Sequence, residues 1–141
     1  MDILYFNTGK SKTGSDLLNI IESQLPGIDI QPCMDTYSFS KQLIQLQQGN
    51  ANTIAVILTS DEEDLMELYA IKHLLYGVIT ILILPDRERD TIALGFRCKP
   101  YFMTSINRDL IKIGYIVKIL LMAQSYQQDS YDDSENHKRA A

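Results

Sequence analysis

The chain has 141 residues, of which 45% are hydrophobic and 22% are charged. These proportions are those of one soluble globular domain, and no apolar run is long enough to span a bilayer. The net charge is −5 and the basic residues are scattered, whereas binding to nucleic acid needs several cations on one face. Neither nucleic acid nor a membrane is therefore an expected partner.

The N-terminal residues indicate the compartment, and the cysteines are interpreted for that reducing compartment. Met1 to Thr8 reads as a strand and lacks the basic flank and cleavage site of a signal peptide, so we expect a cytoplasmic protein. Cys33 and Cys98 lie far apart without metal-ligand spacing, and we expect two free thiols packed as small apolar groups. No metal site is expected.

The first fifty residues are predicted to form two strands and two helices. Residues 3–8 are apolar and rich in β-forming side chains, and Ser15 is the expected cap of an amphipathic helix. A second strand fits 28–33, where Pro32 can donate no hydrogen bond and indicates an edge position or a strand end. A second helix follows and ends at Gly49.

A central strand and an acidic helix come next. Residues 53–59 are apolar without alternation, as expected for a parallel strand covered on both faces. Ser60 is the expected helix cap, and the positive end of the helix dipole favours the four carboxylates at 61–64. We expect these carboxylates to be a solvated helix start rather than a metal site, and the helix to run to Tyr76.

The remaining chain is predicted to add two strands, two helices and a tail. A continuous apolar strand fits 78–84, a short helix 88–97, a fifth strand 101–104 and a long last helix 107–124. Residues 125–141 are polar with few core-forming side chains, and we expect them to be disordered.

Five strands alternating with five helices predict one doubly wound α/β domain over residues 1–124, with helices on both faces of a parallel sheet. The flavodoxin-like strand order 2-1-3-4-5 fits this pattern. In such folds ligands bind outside the carboxyl ends of the strands, at the switch point between strands 1 and 3. The residues that follow the strands therefore decide the function.

The residues at the ends of four strands define the predicted site: Asn7 and Thr8, Ser60 and Asp61, Leu84 and Pro85, and Thr104 and Ser105. The layout of residues 2–124 resembles the response-regulator receiver family of two-component signalling. The resemblance implies an acidic pair after strand 1 and a nucleophilic Asp after strand 3, which together hold Mg²⁺. It also implies a Ser or Thr after strand 4 and a Lys after strand 5.

The residues at these positions depart from the family pattern. Asn7 and Thr8 replace the acidic pair, so little help is available to neutralise an incoming phosphoryl group. The nucleophile position falls on Ser60, or on Asp61 if strand 3 is one residue longer than predicted. The hydroxyl and lysine positions are filled by other residues, namely Leu84 and Pro85, and Thr104 and Ser105.

These departures favour a degenerate pseudo-receiver over a working phosphoryl receiver. Such a protein would not be an enzyme, would need no cofactor, and would act in signal transduction as a phosphorylation-independent protein-protein interaction module with an unknown protein partner. A true receiver phosphorylated on Asp61 is one alternative. Lys99 and Pro100 could also be aligned with the Lys-Pro that follows strand 5 of receivers, but this would delete the fourth helix. The favoured interpretation is a helix that ends at Lys99, with Pro100 blocking its extension.

The loop after strand 1 carries a second alternative. Its hydroxyls and glycines precede a helix N-terminus, where backbone N–H groups favour anions. The stretch 11–16 is similar to the phosphate loop of flavodoxins, which implies flavin mononucleotide (FMN) as a ligand, although Asp16 replaces the last hydroxyl. The possible anion-binding residues are Gly9, Ser11, Thr13, Gly14 and Ser15.

The last helix has two apolar stripes at helical spacing. Leu110, Gly114, Val117 and Leu121 should pack on the sheet. The second stripe, Ile111, Tyr115, Ile119 and Met122, lies on the far side and would leave an apolar patch in water, which a monomer usually avoids. We expect a homodimer through this stripe. The alternative is that its side chains are singly exposed or covered by the tail.

Overall fold

The computed structural model describes residues 2–49, 52–106 and 109–124. The strands are β1 (Ile3–Asn7), β2 (Ile30–Cys33), β3 (Ile54–Leu58), β4 (Ile79–Leu84) and β5 (Phe102–Ser105). The helices are α1 (Lys12–Gln24), α2 (Thr36–Gln47), α3 (Glu62–Ala70), α4 (Arg89–Arg97) and α5 (110–124), and a short 3-10 helix, Lys72–Leu75, follows α3. The predicted tail, 125–141, lies outside the described residues.

The five strands form one parallel sheet in the order β2-β1-β3-β4-β5. Alternate residues of β1 enter different cores: Leu4 and Phe6 pack with α2 and α3, and Ile3 and Tyr5 pack with α1 and α5. The structure thus confirms the three-layer, flavodoxin-like α/β fold and its strand order. Within the described part of the chain, no helix is long and apolar enough to cross a membrane.

Two further predictions are confirmed: the edge position of Pro32 and the free, packed thiols of the two cysteines. Pro32 lies in β2, which forms one edge of the sheet. Cys33 and Cys98 are both free and buried, and burial raises the pKa of each thiol. These cysteines therefore act as small core side chains.

Three helix boundaries differ from the prediction. α1 begins at Lys12, three residues before Ser15, which lies exposed inside the helix. The earlier start places the Gly14 carbonyl where it accepts a buried hydrogen bond from the Tyr5 hydroxyl at 2.6 Å. Asp61 rather than Ser60 caps α3, because its carboxylate accepts from the Asp64 N–H at 2.9 Å.

The third difference is that the helix after strand 3 does not continue to Tyr76. α3 ends at Ala70, and the 3-10 helix begins at Lys72.

The predicted end of the fourth helix, just before Pro100, is confirmed, since α4 ends at Arg97. Lys99 and Pro100 lie between α4 and β5, so the alignment that placed them after the fifth strand is wrong.

Candidate functional site

The loops after β1 and β3 lie side by side at the carboxyl edge of the sheet, because Asn7 pairs with Leu58. The Lys10 ammonium lies among the carboxylates of the neighbouring loop and helix. Its Nζ is 2.9 Å from Asp64 Oδ1, 3.1 Å from Asp61 Oδ2 and 3.6 Å from Glu63 Oε2. Lys10 thus supplies a cation at the switch point between strands 1 and 3.

Asp64 is the buried member of this cluster. Its side chain is 1% exposed, whereas that of Glu63 is 74% exposed. The second carboxylate oxygen of Asp64 accepts from the Thr8 hydroxyl at 3.0 Å and from the Ser60 N–H at 2.9 Å. The prediction that all four carboxylates at 61–64 are solvated is therefore wrong for Asp64, which is buried because it has a full set of donors.

The Asp61 carboxylate makes two contacts, which leave it less available for nucleophilic attack than an unpaired carboxylate. Its carboxylate caps α3 and also accepts from the Lys10 ammonium. The backbone hydrogen bond from Asp64, followed by the Lys10 side chain, holds the pKa of Asp61 below its usual range. Hydrogen bonds to Asp64 and Asp61 raise the pKa of Lys10, so both ends of the pair stay charged at neutral pH.

The depressed pKa of Asp61 predicts a pH dependence. A carboxylate with a lowered folded-state pKa contributes stability above its unfolded pKa, about 3.9, and the contribution is lost as the pH falls through the folded value. Asp61→Asn keeps a capping side chain but removes the charge. We expect the stability difference between the two proteins to be constant above about pH 5 and to shrink below pH 4. Urea titrations between pH 2 and 7 test this, and a difference independent of pH would contradict it.

The predicted residues at the carboxyl ends of β4 and β5 form a second group. Leu84, Thr104 and Ser105 line a cavity of about 240 Å³ at the carboxyl ends of these strands. Arg87, which the sequence analysis did not single out, donates from Nε to the Ser105 hydroxyl at 3.1 Å. Pro85 follows β4 directly. The predicted site thus consists of two pairs of loops, one with Lys10 and one with Arg87.

The loop proposed for anions does not form a single cradle. The Gly9 N–H donates to Asn7 Oδ1 at 3.1 Å, with Gly9 at a φ of +81°. The Ser11 hydroxyl lies 3.4 Å from that of Ser60. Gly14 is buried against β1, while Thr13 is half-buried and Ser15 is exposed. The five predicted residues therefore face different neighbours.

The second stripe of α5 is exposed, as its spacing predicted. The exposed fractions are 61% for Ile111, 57% for Tyr115, 46% for Ile119 and 61% for Met122. On the opposite side Gly114 and Val117 are buried, with Leu110 and Leu121 packed against the same core. Ile113, which was not assigned to the core stripe, is also buried.

Sequence reasoning did not find Lys10 or the special position of Asp64. The two residues are 54 positions apart, and no local pattern indicates that they meet.

Among the residues that the structure describes, no group of three or more His, Cys, Asp or Glu is arranged to hold a metal ion. Comparison with protein-family models gives no match, and comparison with curated proteins gives none either.

Proposed function

We propose that the protein is a stand-alone, cytoplasmic pseudo-receiver that acts in signalling as a phosphorylation-independent protein-protein interaction module. The observation that carries this proposal is the Lys10 ammonium, which lies 2.9 Å from Asp64 and 3.1 Å from Asp61. In receivers a divalent metal holds the carboxylates at this edge and neutralises the phosphoryl group. Here the ammonium of Lys10 contacts the carboxylates, so part of their negative charge is offset without metal or phosphate.

The local charge also opposes phosphorylation of Asp61. Three carboxylates, those of Asp61, Glu63 and Asp64, contact one ammonium, which leaves a negative potential facing any anionic phosphodonor. Asn7 and Thr8 add no carboxylate with which to recruit Mg²⁺ against that charge. β3 ends at Leu58, so Asp61 lies three residues beyond the strand, in the cap of α3.

The same charge makes FMN the weaker candidate. A phosphate at the start of α1 would lie near these carboxylates, and Lys10, in the loop before α1, is already paired with Asp61 and Asp64. Asp16 adds a further carboxylate in the second turn of α1. A yellow purified protein with flavin absorbance would favour the FMN alternative over the pseudo-receiver.

The first test of the proposal is chemical. We expect incubation with acetyl phosphate, or with beryllofluoride, in the presence of Mg²⁺ to change neither the mass nor the amide NMR shifts of the protein. Asp61→Asn is the matched control, since it caps α3 but cannot form an acyl phosphate. An adduct present in the wild type and absent from this variant would overturn the proposal in favour of a true receiver.

The surface that best suits a protein partner is the exposed stripe of α5. Its four apolar side chains follow a helical spacing, so they share one face. At the β5 edge of the sheet, α4 and the segment before β5 also expose aromatic rings, with Phe96 at 64% and Tyr101 at 67%. Receivers commonly dimerise on the face built from helix 4, strand 5 and helix 5. We propose a homodimer on this face, with a C₂ arrangement as the simplest.

The dimer is tested by a charge at the centre of the stripe. Burying several hundred Å² of apolar surface would contribute several kcal/mol at about 25 cal/mol per Å² before association entropy is subtracted, so the dimer should depend on concentration. Ile119→Glu should yield a folded monomer, because a buried unpaired charge is costly. Ile44→Glu on α2 is the control, since Ile44 is 45% and Ile119 46% exposed.

Light scattering and analytical ultracentrifugation at micromolar concentrations measure both variants. The wild type and the Ile44→Glu protein should be dimers, and only Ile119→Glu should be monomeric. A wild type that is already monomeric, or an Ile119→Glu dimer, would remove α5 as the interface between two copies.

A further inference from the structure

A cavity of about 300 Å³ lies at the amino ends of β4 and β5, on the opposite edge of the sheet from Lys10. Four cationic or potentially cationic side chains line it: Lys72, His73, Arg97 and Lys99. No carboxylate occurs among the described residues that line it, and none of these four side chains forms an ion pair within the described part of the chain. In a protein of net charge −5, this concentration of cations without a carboxylate partner is a local exception, although the Lys72 ammonium also donates to the Tyr69 hydroxyl at 3.2 Å and lies over its ring.

Helix electrostatics account for only part of this arrangement. A helix dipole favours cations near its C-terminus, which suits Arg97 in the last turn of α4 and Lys99 just beyond it. Lys72 and His73 follow the C-terminus of α3 in the same way, but they belong to a separate segment, the 3-10 helix before β4, and dipoles do not explain why two segments place their cations at one cavity. Like charges brought together from two segments repel each other unless an anion lies between them.

The backbone of Lys99 is the second independent observation. Its φ is +54°, in the left-handed region, and it is the only non-glycine residue of the described chain with a positive φ. Glycine takes this conformation at the end of a helix without steric cost, whereas a side chain destabilises it. Lysine supplies a charge at the cavity that glycine cannot supply.

The rest of the lining can hold an organic body. Leu75, Val78 and the buried Cys98 give the cavity an apolar part, and the ring of Tyr76 is 89% exposed beside it. A volume of this size is at the lower end of small-molecule sites, which are about 300–1,000 Å³. An aromatic ring at the rim suits a flat or apolar group, while the cations suit phosphate or carboxylate oxygens.

We propose that this cavity binds a small organic polyanion, with two or more negative charges on Lys72, Arg97 and Lys99 and its organic body against Tyr76. Binding here is independent of the carboxyl edge, so it can regulate the module without phosphorylation of Asp61. The α5 stripe itself contributes no residue to the cavity.

The full chain, labelled with ¹⁵N, is titrated at low salt and in EDTA with three probes: pyrophosphate, ADP and citrate. We expect saturable shifts of the amides at 72–78 and 97–99, with ADP binding more tightly than pyrophosphate because it adds a flat body. If ADP binds more tightly than citrate, the anionic groups of the ligand are assigned as phosphates. If citrate binds more tightly, they are assigned as carboxylates. Adenosine, which has no charge, should not bind.

Lys99→Gly separates the proposed binding role from a structural one. This change relieves the left-handed strain and removes one charge, so the melting temperature should rise by a few degrees while affinity for pyrophosphate and ADP falls about tenfold, the loss of one charge-assisted contact. Lys112→Gln removes one charge at an exposed position of α5, away from the cavity, and should leave the affinity for pyrophosphate and ADP unchanged. Arg97→Gln should weaken binding as Lys99→Gly does.

Three results would overturn the proposal. The first is an absence of saturable shifts at 72–78 and 97–99 at millimolar probe. The second is wild-type affinity in the Lys99→Gly protein. The third is that the shifts occur at Gly9 to Ser15, which would assign anion binding to the start of α1. ADP no tighter than pyrophosphate would overturn the contact with Tyr76.

Discussion

Asp64→Ala is expected to lower the free energy of unfolding by about 1–3 kcal/mol, the range for leaving buried polar groups without their hydrogen-bond partner. The substitution takes away the acceptor of three donors: the Lys10 ammonium, the Thr8 hydroxyl and the Ser60 N–H. A part-buried N–H left without a partner adds a desolvation cost to the lost attraction. Urea unfolding at pH 7 measures the effect.

Glu63→Ala is the matched control for this experiment. Glu63 contacts the same ammonium at 3.6 Å, but its side chain is 74% exposed. Exposed ion pairs contribute about 0–1 kcal/mol, so this variant should lose much less stability than Asp64→Ala. Equal losses in the two variants would show that burial of Asp64 does not organise the loops at the carboxyl edge.

Gly14→Ala is expected to destabilise the protein by about 3 kcal/mol, although alanine usually favours a helix over glycine by about 1 kcal/mol. A methyl group on Gly14 would overlap the side-chain amide of Asn7, at the end of β1. Asn7 cannot move freely, because its Oδ1 accepts from the Gly9 N–H. The Gly14 carbonyl is also fixed by the hydroxyl of Tyr5, whose pKa is raised by burial.

Two further variants isolate the overlap between Gly14 and Asn7. Gly49→Ala adds a methyl group where the nearest atom is 4.0 Å away, and its stability should change by less than about 0.5 kcal/mol. Asn7→Ala removes the amide, so adding Gly14→Ala to that background should cost little. Double-mutant coupling near zero would indicate that Asn7 is not the obstacle.

The fold could be predicted because each strand carries its own signal. β3 and β4 are apolar without alternation, which requires cover on both faces, and both are buried almost throughout. Pro32 indicated an edge, and β2 is an edge. The helix boundaries were less predictable, since Ser11, Ser15, Ser60 and Asp61 are all acceptable caps and only the tertiary contacts choose among them.

The site could be predicted only in part. The strand ends placed Asn7, Thr8, Ser60 and Asp61 at one edge, and the structure has them there. Lys10 was unpredictable because a lysine in a loop is ordinarily solvated, and its partners lie more than fifty residues along the chain. The burial of Asp64 follows from those partners, so it was hidden for the same reason.

Pro32 has a consequence for how copies of the chain can meet. An edge strand with free N–H and C=O groups is a template on which another chain can add a strand, and this is a common start of aggregation. Pro32 has no N–H to offer, and β2 is only four residues long. The opposite edge, β5, is equally short. Both edges thus resist growth into a continuous intermolecular sheet, which leaves the helical faces as the surfaces on which ordered assembly can occur.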